Sequence, residues 1–186
     1  MKRFVSTALN AGLLSLCLIL LNACSLPLTQ APPTLPAILT PPPSSGNGNC
    51  AYQWAQEDLP ELSNEFQQAI QALQPAAQAS AFAFGEDCVY ADGRAVFSAM
   101  ETDFNVTLQV GDLSNEADLG EWIVNVMQVI ENIPPEKIAG SRPGRVSMNF
   151  QTGSEQKFVN FYVDKYQALP SDLSNAEIYQ TLQTPQ

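Results

Sequence analysis

The chain has 186 residues, of which nineteen are acidic and eight basic, with no histidine and a formal net charge of −11. A surface that acidic repels phosphate backbones and anionic lipid headgroups, which argues against nucleic-acid binding and electrostatic membrane docking. The lack of histidine excludes Ser-His-Asp and Cys-His nucleophile pairs and His-ligated zinc.

Met1-Lys2-Arg3 is a short positive stretch, and the run from Phe4 to Leu21 is mostly apolar. At roughly 18 residues, interrupted by Asn10 and Ser15, it is marginal for crossing a hydrocarbon core but suits an export signal. It ends in Leu21-Asn22-Ala23-Cys24, which resembles the lipobox of bacterial lipoproteins. That resemblance implies that residues 1–23 are removed and that the Cys24 thiol carries diacylglycerol, giving a membrane contact through the N-terminal lipid. Ser25 is unlike the aspartate that retains lipoproteins in the inner membrane of bacteria with two membranes. The implied location is therefore the cell membrane or outer membrane, with the domain on the extracytoplasmic side. Without Lys2 and Arg3, six basic residues face nineteen acidic ones.

Residues 24–49 contain seven prolines, including Pro41-Pro42-Pro43, and close on Ser44-Ser45-Gly46-Asn47-Gly48-Asn49. Such a composition cannot build a core and reads as a tether, reaching roughly 30 Å as a coil and about 80 Å if stretched.

The body, residues 50–186, reads as one domain. Asp58-Leu59-Pro60-Glu61 has the form of a helix start with Asp58 as N-cap and Glu61 closing a capping box, and Leu59, Leu62, Phe66, Ile70 and Leu73 follow at helical spacing. From Ala79 the pattern alternates through Phe82 and Phe84, turns at Asp92-Gly93, and alternates again through Phe104, Val106, Leu108 and Val110. Asp112-Leu113-Ser114-Asn115 opens a second helix with Leu119, Trp122, Ile123, Val126, Met127 and Ile130 on one face, stopped by Pro134-Pro135. Val146, Met148 and Phe150 alternate, Thr152-Gly153-Ser154 turns, and Phe158 to Val163 returns as a strand. Ser174-Asn175-Ala176-Glu177 is a capping box for a short terminal helix. The expected fold is α+β, in the order α-β-β-α-β-β plus a short C-terminal helix. It has four mainly antiparallel strands with the two long helices on one face.

Cys17 and Cys24 belong to the N-terminal segment, leaving Cys50 and Cys88 in the body. In an exported protein two cysteines favour one disulfide over two free thiols. Lys137, Arg142 and Arg145 are half of the remaining basic residues and cluster in one loop, a candidate patch for an anion or a partner. Glu86, Asp87, Glu101 and Asp103 fall on the first strand pair, where facing carboxylates would permit acid-base work; alternation also places carboxylates at solvent as a matter of course. Asp112, Asn115, Glu116, Asp118 and Glu121 supply oxygens but lack the spacing and the glycine of a calcium loop, and acidic residues suit a first helical turn anyway. Tyr52 and Trp54, ahead of the first helix, read as packing over an open end of the sheet or as an aromatic surface.

No P-loop, dinucleotide fingerprint or nucleophile elbow is spelled out. No catalytic residue, metal or cofactor is expected. The expected function is a non-enzymatic, membrane-anchored extracytoplasmic domain that binds an envelope protein or a small ligand. The rivals are a carboxylate-based envelope enzyme and a structural assembly lipoprotein.

Overall fold

The apolar rows converge on one side of a five-stranded sheet in the computed structural model, which describes residues 50–183. The expected signal, the lipobox with Cys24 and the tether lie outside the described residues. In chain order the elements are β1 (Ala51–Asp58), α1 (Pro60–Leu73), β2 (Gln78–Val89), β3 (Ala95–Gln109) and α2 (Glu116–Glu131). A 3-10 turn (Pro135–Lys137), β4 (Pro143–Thr152), β5 (Glu155–Tyr162), α3 (Val163–Gln167) and α4 (Asn175–Gln183) complete it. The strands stand side by side in sequence order, antiparallel throughout except for β3 with β4. A parallel pair needs a long crossover, and the segment holding α2 supplies it.

The fold is α+β and its sheet is mainly antiparallel, with β3–β4 the one parallel pair, but the expected four strands are five. The additional strand is β1, where a mere lead-in to the first helix was expected. Seven of its eight residues are exposed, so neither of its faces carries the apolar row by which a half-buried strand declares itself. Its last residue is Asp58, so the expected Asp58 cap does not form. The helix α1 starts after Leu59 without a side-chain cap, and Pro60 in its first turn has no N–H to satisfy. The second helix begins at Glu116 rather than at Asp112. Asn115 is its N-cap and accepts from the Asp118 amide at 3.3 Å, while Asp112 forms a tight turn with the Ser114 amide at 2.7 Å. The Ser174–Glu177 capping box is present: Glu177 accepts from the Ser174 amide at 2.8 Å, and Ser174 accepts from the Glu177 amide at 3.4 Å.

Leu62, Phe66 and Ile70 of α1 and Leu119, Ile123, Met127 and Ile130 of α2 pack on Phe104, Val106 and Leu108 of β3 and on Val146, Met148 and Phe150 of β4. Phe66 meets Phe104 edge to face at 5.1 Å. Tyr179 and Leu182 bring α4 onto the same core. Burying each such side chain stabilises the fold by about 1.5–3 kcal/mol. The inward row of β2 is Ala79, Ala81 and Ala83, whose small side chains let α1 come close. Phe82 and Phe84 therefore turn to the other face.

A disulfide joins Cys50 to Cys88, fastening the start of β1 to the end of β2. Among the described residues no helix is long and apolar enough to cross a membrane.

Candidate functional site

Strand alternation decides where the charged candidates go. Phe104, Val106 and Leu108 face the helices, so Glu101, Asp103, Asn105 and Thr107 lie toward the uncovered face. The register changes between Phe84, opposite Glu101, and Gly85, opposite Ala99, which leaves Met100 as the extra residue of a bulge. A side chain on Gly85 would collide with the Ser98 backbone, so the bulge requires glycine there.

The loop before β4 is laid against this bulge. The Ser141 amide donates to the Met100 carbonyl at 3.0 Å and the Thr102 amide to the Arg142 carbonyl at 3.1 Å. Thr102 Oγ1 accepts from the Ala139 amide at 2.8 Å. Gly140, with φ +80°, passes close to the Met100 backbone, where a Cβ would sit 2.6 Å from the Glu101 nitrogen. These bonds carry both arginines of the candidate patch onto the carboxylates. Arg142 Nη2 lies 3.3 Å from Glu101 Oε2, and its Nη1 lies 3.2 Å from Asp164 Oδ2. The Arg145 amide donates to Asp103 Oδ1 at 2.7 Å while its guanidinium stands 3.6 Å from Asp103 Oδ2. Glu101 and Asp103 keep only 10% and 4% of their side-chain surface exposed, whereas the arginines are about half-exposed.

Two groups of candidates thus merge into one ion-pair lattice. Lys137 stands apart from it and pairs with Glu65 of α1. Each basic residue of the patch has a carboxylate partner, so an incoming anion would have to compete with a bound acid. Glu86 and Asp87 do not join Glu101 and Asp103. They lie beyond the bulge opposite Ser98 and Phe97, and as neighbours in a strand they point to opposite faces. In the acidic run Asp112 is taken up by the turn and Asn115 by the cap of α2, Glu116 accepts from Gln180 at 2.6 Å, and among the described residues no three acidic or cysteine side chains gather to hold a metal ion.

Burial raises the Asp103 carboxyl above the ordinary aspartate range, and the negative charge of Glu101 adds to this against the opposing pull of the Arg145 amide and guanidinium. In the pH window between the unfolded and folded values the folded chain binds more protons, so this group's contribution to stability falls as pH rises. Asp103→Asn keeps an acceptor for the Arg145 amide and has no charge to desolvate. The unfolding free energy of the variant relative to the native chain is expected to increase from acidic to neutral pH. Urea titrations at several pH values check this, and a difference that is constant or of opposite slope refutes it.

Beside the lattice an open cleft of about 410 Å³ lies between the end of α2, the 3-10 turn, the start of β4 and α3. Ile130, Ile133, Ile138 and Val163 form its apolar walls, with Arg142 and Gln167 among its polar groups.

The uncovered face of the sheet is the broader feature. Its rows read Asp58, Phe82, Asp103 on β1 to β3; Ser80, Asn105, Ser147, Asn160 on β2 to β5; and Gln78, Thr107, Asn149, Phe158 on the same strands. Trp54 and Tyr52 stand at one side, with Trp54 stacked on Phe84 at 5.4 Å and still 65% exposed. Phe158 and Tyr162 stand at the other, Phe158 at 56% exposure. Residue order alone does not expose this face, because the run Phe158-Val159-Asn160-Phe161-Tyr162-Val163 is apolar at both parities. The one available signal is Asn160, whose parity marks the solvent side.

No protein-family model, curated protein or solved structure matches the chain.

Proposed function

We propose that the protein is a bacterial envelope lipoprotein, held to the cell membrane or outer membrane by lipid on Cys24, whose domain is a non-enzymatic binding module for an envelope protein. The observation that carries the binding role is the uncovered sheet face. With the helices on the opposite side, it leaves Trp54, Phe158 and Tyr162 exposed among amide and hydroxyl groups. Aromatic side chains supply large contact area at low entropic cost, and amides both donate and accept, which suits a broad protein partner. The arginines over Glu101 and Asp103 hold their carboxylates in ion pairs, which supports a structural role for them over an acid-base one. The N-terminal positive stretch, apolar run and lipobox spelling support the anchor.

Two measurements test the reading. Mass spectrometry of the exported protein should find an N-terminal peptide beginning at diacylglyceryl Cys24. In Cys24→Ser lipid incorporation should vanish and residues 1–23 should stay attached. A photo-crosslinking residue placed at Phe158 should trap a defined envelope protein in cells, whereas one at Gln68, exposed on α1, should not. An unlipidated native chain refutes the anchor, and trapping from α1 but not from the sheet refutes the binding face.

A further inference from the structure

One edge of the sheet is finished in two different ways. Where β2 runs beyond the end of β1, side chains of α1 stand in for the missing strand. Ser63 Oγ donates to the Ala81 carbonyl at 2.7 Å and accepts from the Ala81 amide at 2.9 Å. Gln67 donates to the Ala77 carbonyl at 2.9 Å and accepts from the Ala79 amide at 2.5 Å. Further along, where β3 runs beyond the start of β2, Gln74 at the C-cap of α1 makes the same two-way pairing with the backbone of Gln109, at 2.8 and 2.7 Å. These polar backbone groups are therefore closed off one by one.

Along β1, which forms the rest of that edge, no such cover exists among the described residues. Edge strands are ordinarily guarded by lysine, proline, a bulge or short length. The sequence Ala-Tyr-Gln-Trp-Ala-Gln-Glu-Asp has no lysine and no proline, pairs with β2 without a break in register, and runs for eight residues. Tyr52 is 71% exposed and Trp54 nearly as much. The Cys50–Cys88 bond and the Trp54–Phe84 stack hold the strand in place, so little ordering is left for a partner to impose.

We propose that β1 is a self-association edge: two copies pair their β1 strands antiparallel about a twofold axis at Trp54, joining the two sheets into one. Charge selects both partner and direction. The only charges on β1 are Glu57 and Asp58 at its end. With the axis at Trp54, Glu57 lies opposite Ala51, Gln56 opposite Tyr52, and Ala55 opposite Gln53, so each acidic end meets the uncharged start of the other strand. A parallel pairing would set Glu57 against Glu57 and Asp58 against Asp58, which is destabilising. In a chain of net charge −11, this central edge of amide, alanine and aromatic residues carries no charge of its own, and the nearest carboxylates, Glu86 and Asp87 opposite Trp54 and Gln53, stand one strand back on β2, so repulsion between two copies is least here.

The full chain purified in detergent is the material for the test, by density-matched sedimentation equilibrium with hydrogen exchange read on the same samples. The native chain should dimerise as concentration rises, and the outward-pointing amides of β1, those of every second residue, should gain protection in step. Trp54→Lys should weaken the dimer at least tenfold, and so should Gln53→Lys with Ala55→Lys, which sets like charges opposite each other across the axis. Gln53→Glu with Ala55→Lys sets opposite charges there and should retain the dimer. Leu73→Lys, an exposed apolar position on α1, should leave assembly unchanged. A chain that stays monomeric overturns the proposal, as does a dimer indifferent to the β1 substitutions. Protection of those outward-pointing amides at every dilution in a monomer would instead assign the edge to residues 25–49 of the same chain, and also overturns it.

Discussion

Gly120→Ala is expected to detach α4 and to lower the unfolding free energy by about 3 kcal/mol, although the same change in an unencumbered helix would raise it by about 1 kcal/mol. The reason is a contact between backbones. A Cβ on Gly120 would lie 2.5 Å from the Asn175 carbonyl carbon and 3.0 Å from its Cα. Neither atom can swing aside as a flexible side chain would, so α4 has to move as a whole. That helix carries Tyr179 and Leu182 into the core, and each would lose part of the roughly 1.5–3 kcal/mol that burial provides. The cation–ring contact of Lys157 with Tyr179, at 5.1 Å, would go with them. Urea denaturation measures the loss, and hydrogen exchange should show residues 175–183 opening ahead of β3 and β4. A stabilised alanine variant would mean that the two helices do not approach this closely.

Where a segment buries one face, its period is plain in the sequence. Leu62, Phe66 and Ile70 mark α1, and Val146, Met148 and Phe150 mark β4, because the core demands apolar atoms at those positions and solvent demands others between them. The cap at Ser174 is equally legible, since its two hydrogen bonds lie within four residues. Features that depend on distant segments are not. Asp58 has the spelling of a cap, but its backbone is taken into β1 by pairing with Phe82, a partner 24 residues away. The parallel pairing of β3 with β4 follows from where the α2 crossover returns, which no local pattern records.

The candidate site divides along the same line. Residue types picked out Glu101, Asp103, Arg142 and Arg145, but as separate acidic and basic groups. Their union depends on Thr102 holding the loop at Ala139 and on the absence of a side chain at Gly144, where a Cβ would lie 2.6 Å from Glu101 Cδ. Glu86 and Asp87 share the composition of that acidic group yet fall outside it, because the bulge at Met100 separates their part of β2 from the lattice.

Removal of the Cys50–Cys88 bond, by Cys50→Ser with Cys88→Ser, is expected to lower the global unfolding free energy by about 4 kcal/mol, the entropy that closing a loop of this length withdraws from the unfolded chain. The cysteines are 38 residues apart, and the loop between them contains β1, α1 and most of β2. The local consequence should be larger than the global one. β1 buries almost nothing, so without the crosslink it is held by its backbone pairing to β2 and by the stack of Trp54 on Phe84. Its amides should then exchange far faster than those of β3 and β4, whose opening requires loss of the core. Denaturant titration and hydrogen exchange on one variant separate the two effects. If the global loss appears while β1 stays as protected as before, the strand is held by packing and not by the crosslink. If β1 is released, the strand is ordered only where a disulfide can form, so its exposed edge is displayed in an oxidising compartment and not in a reducing one.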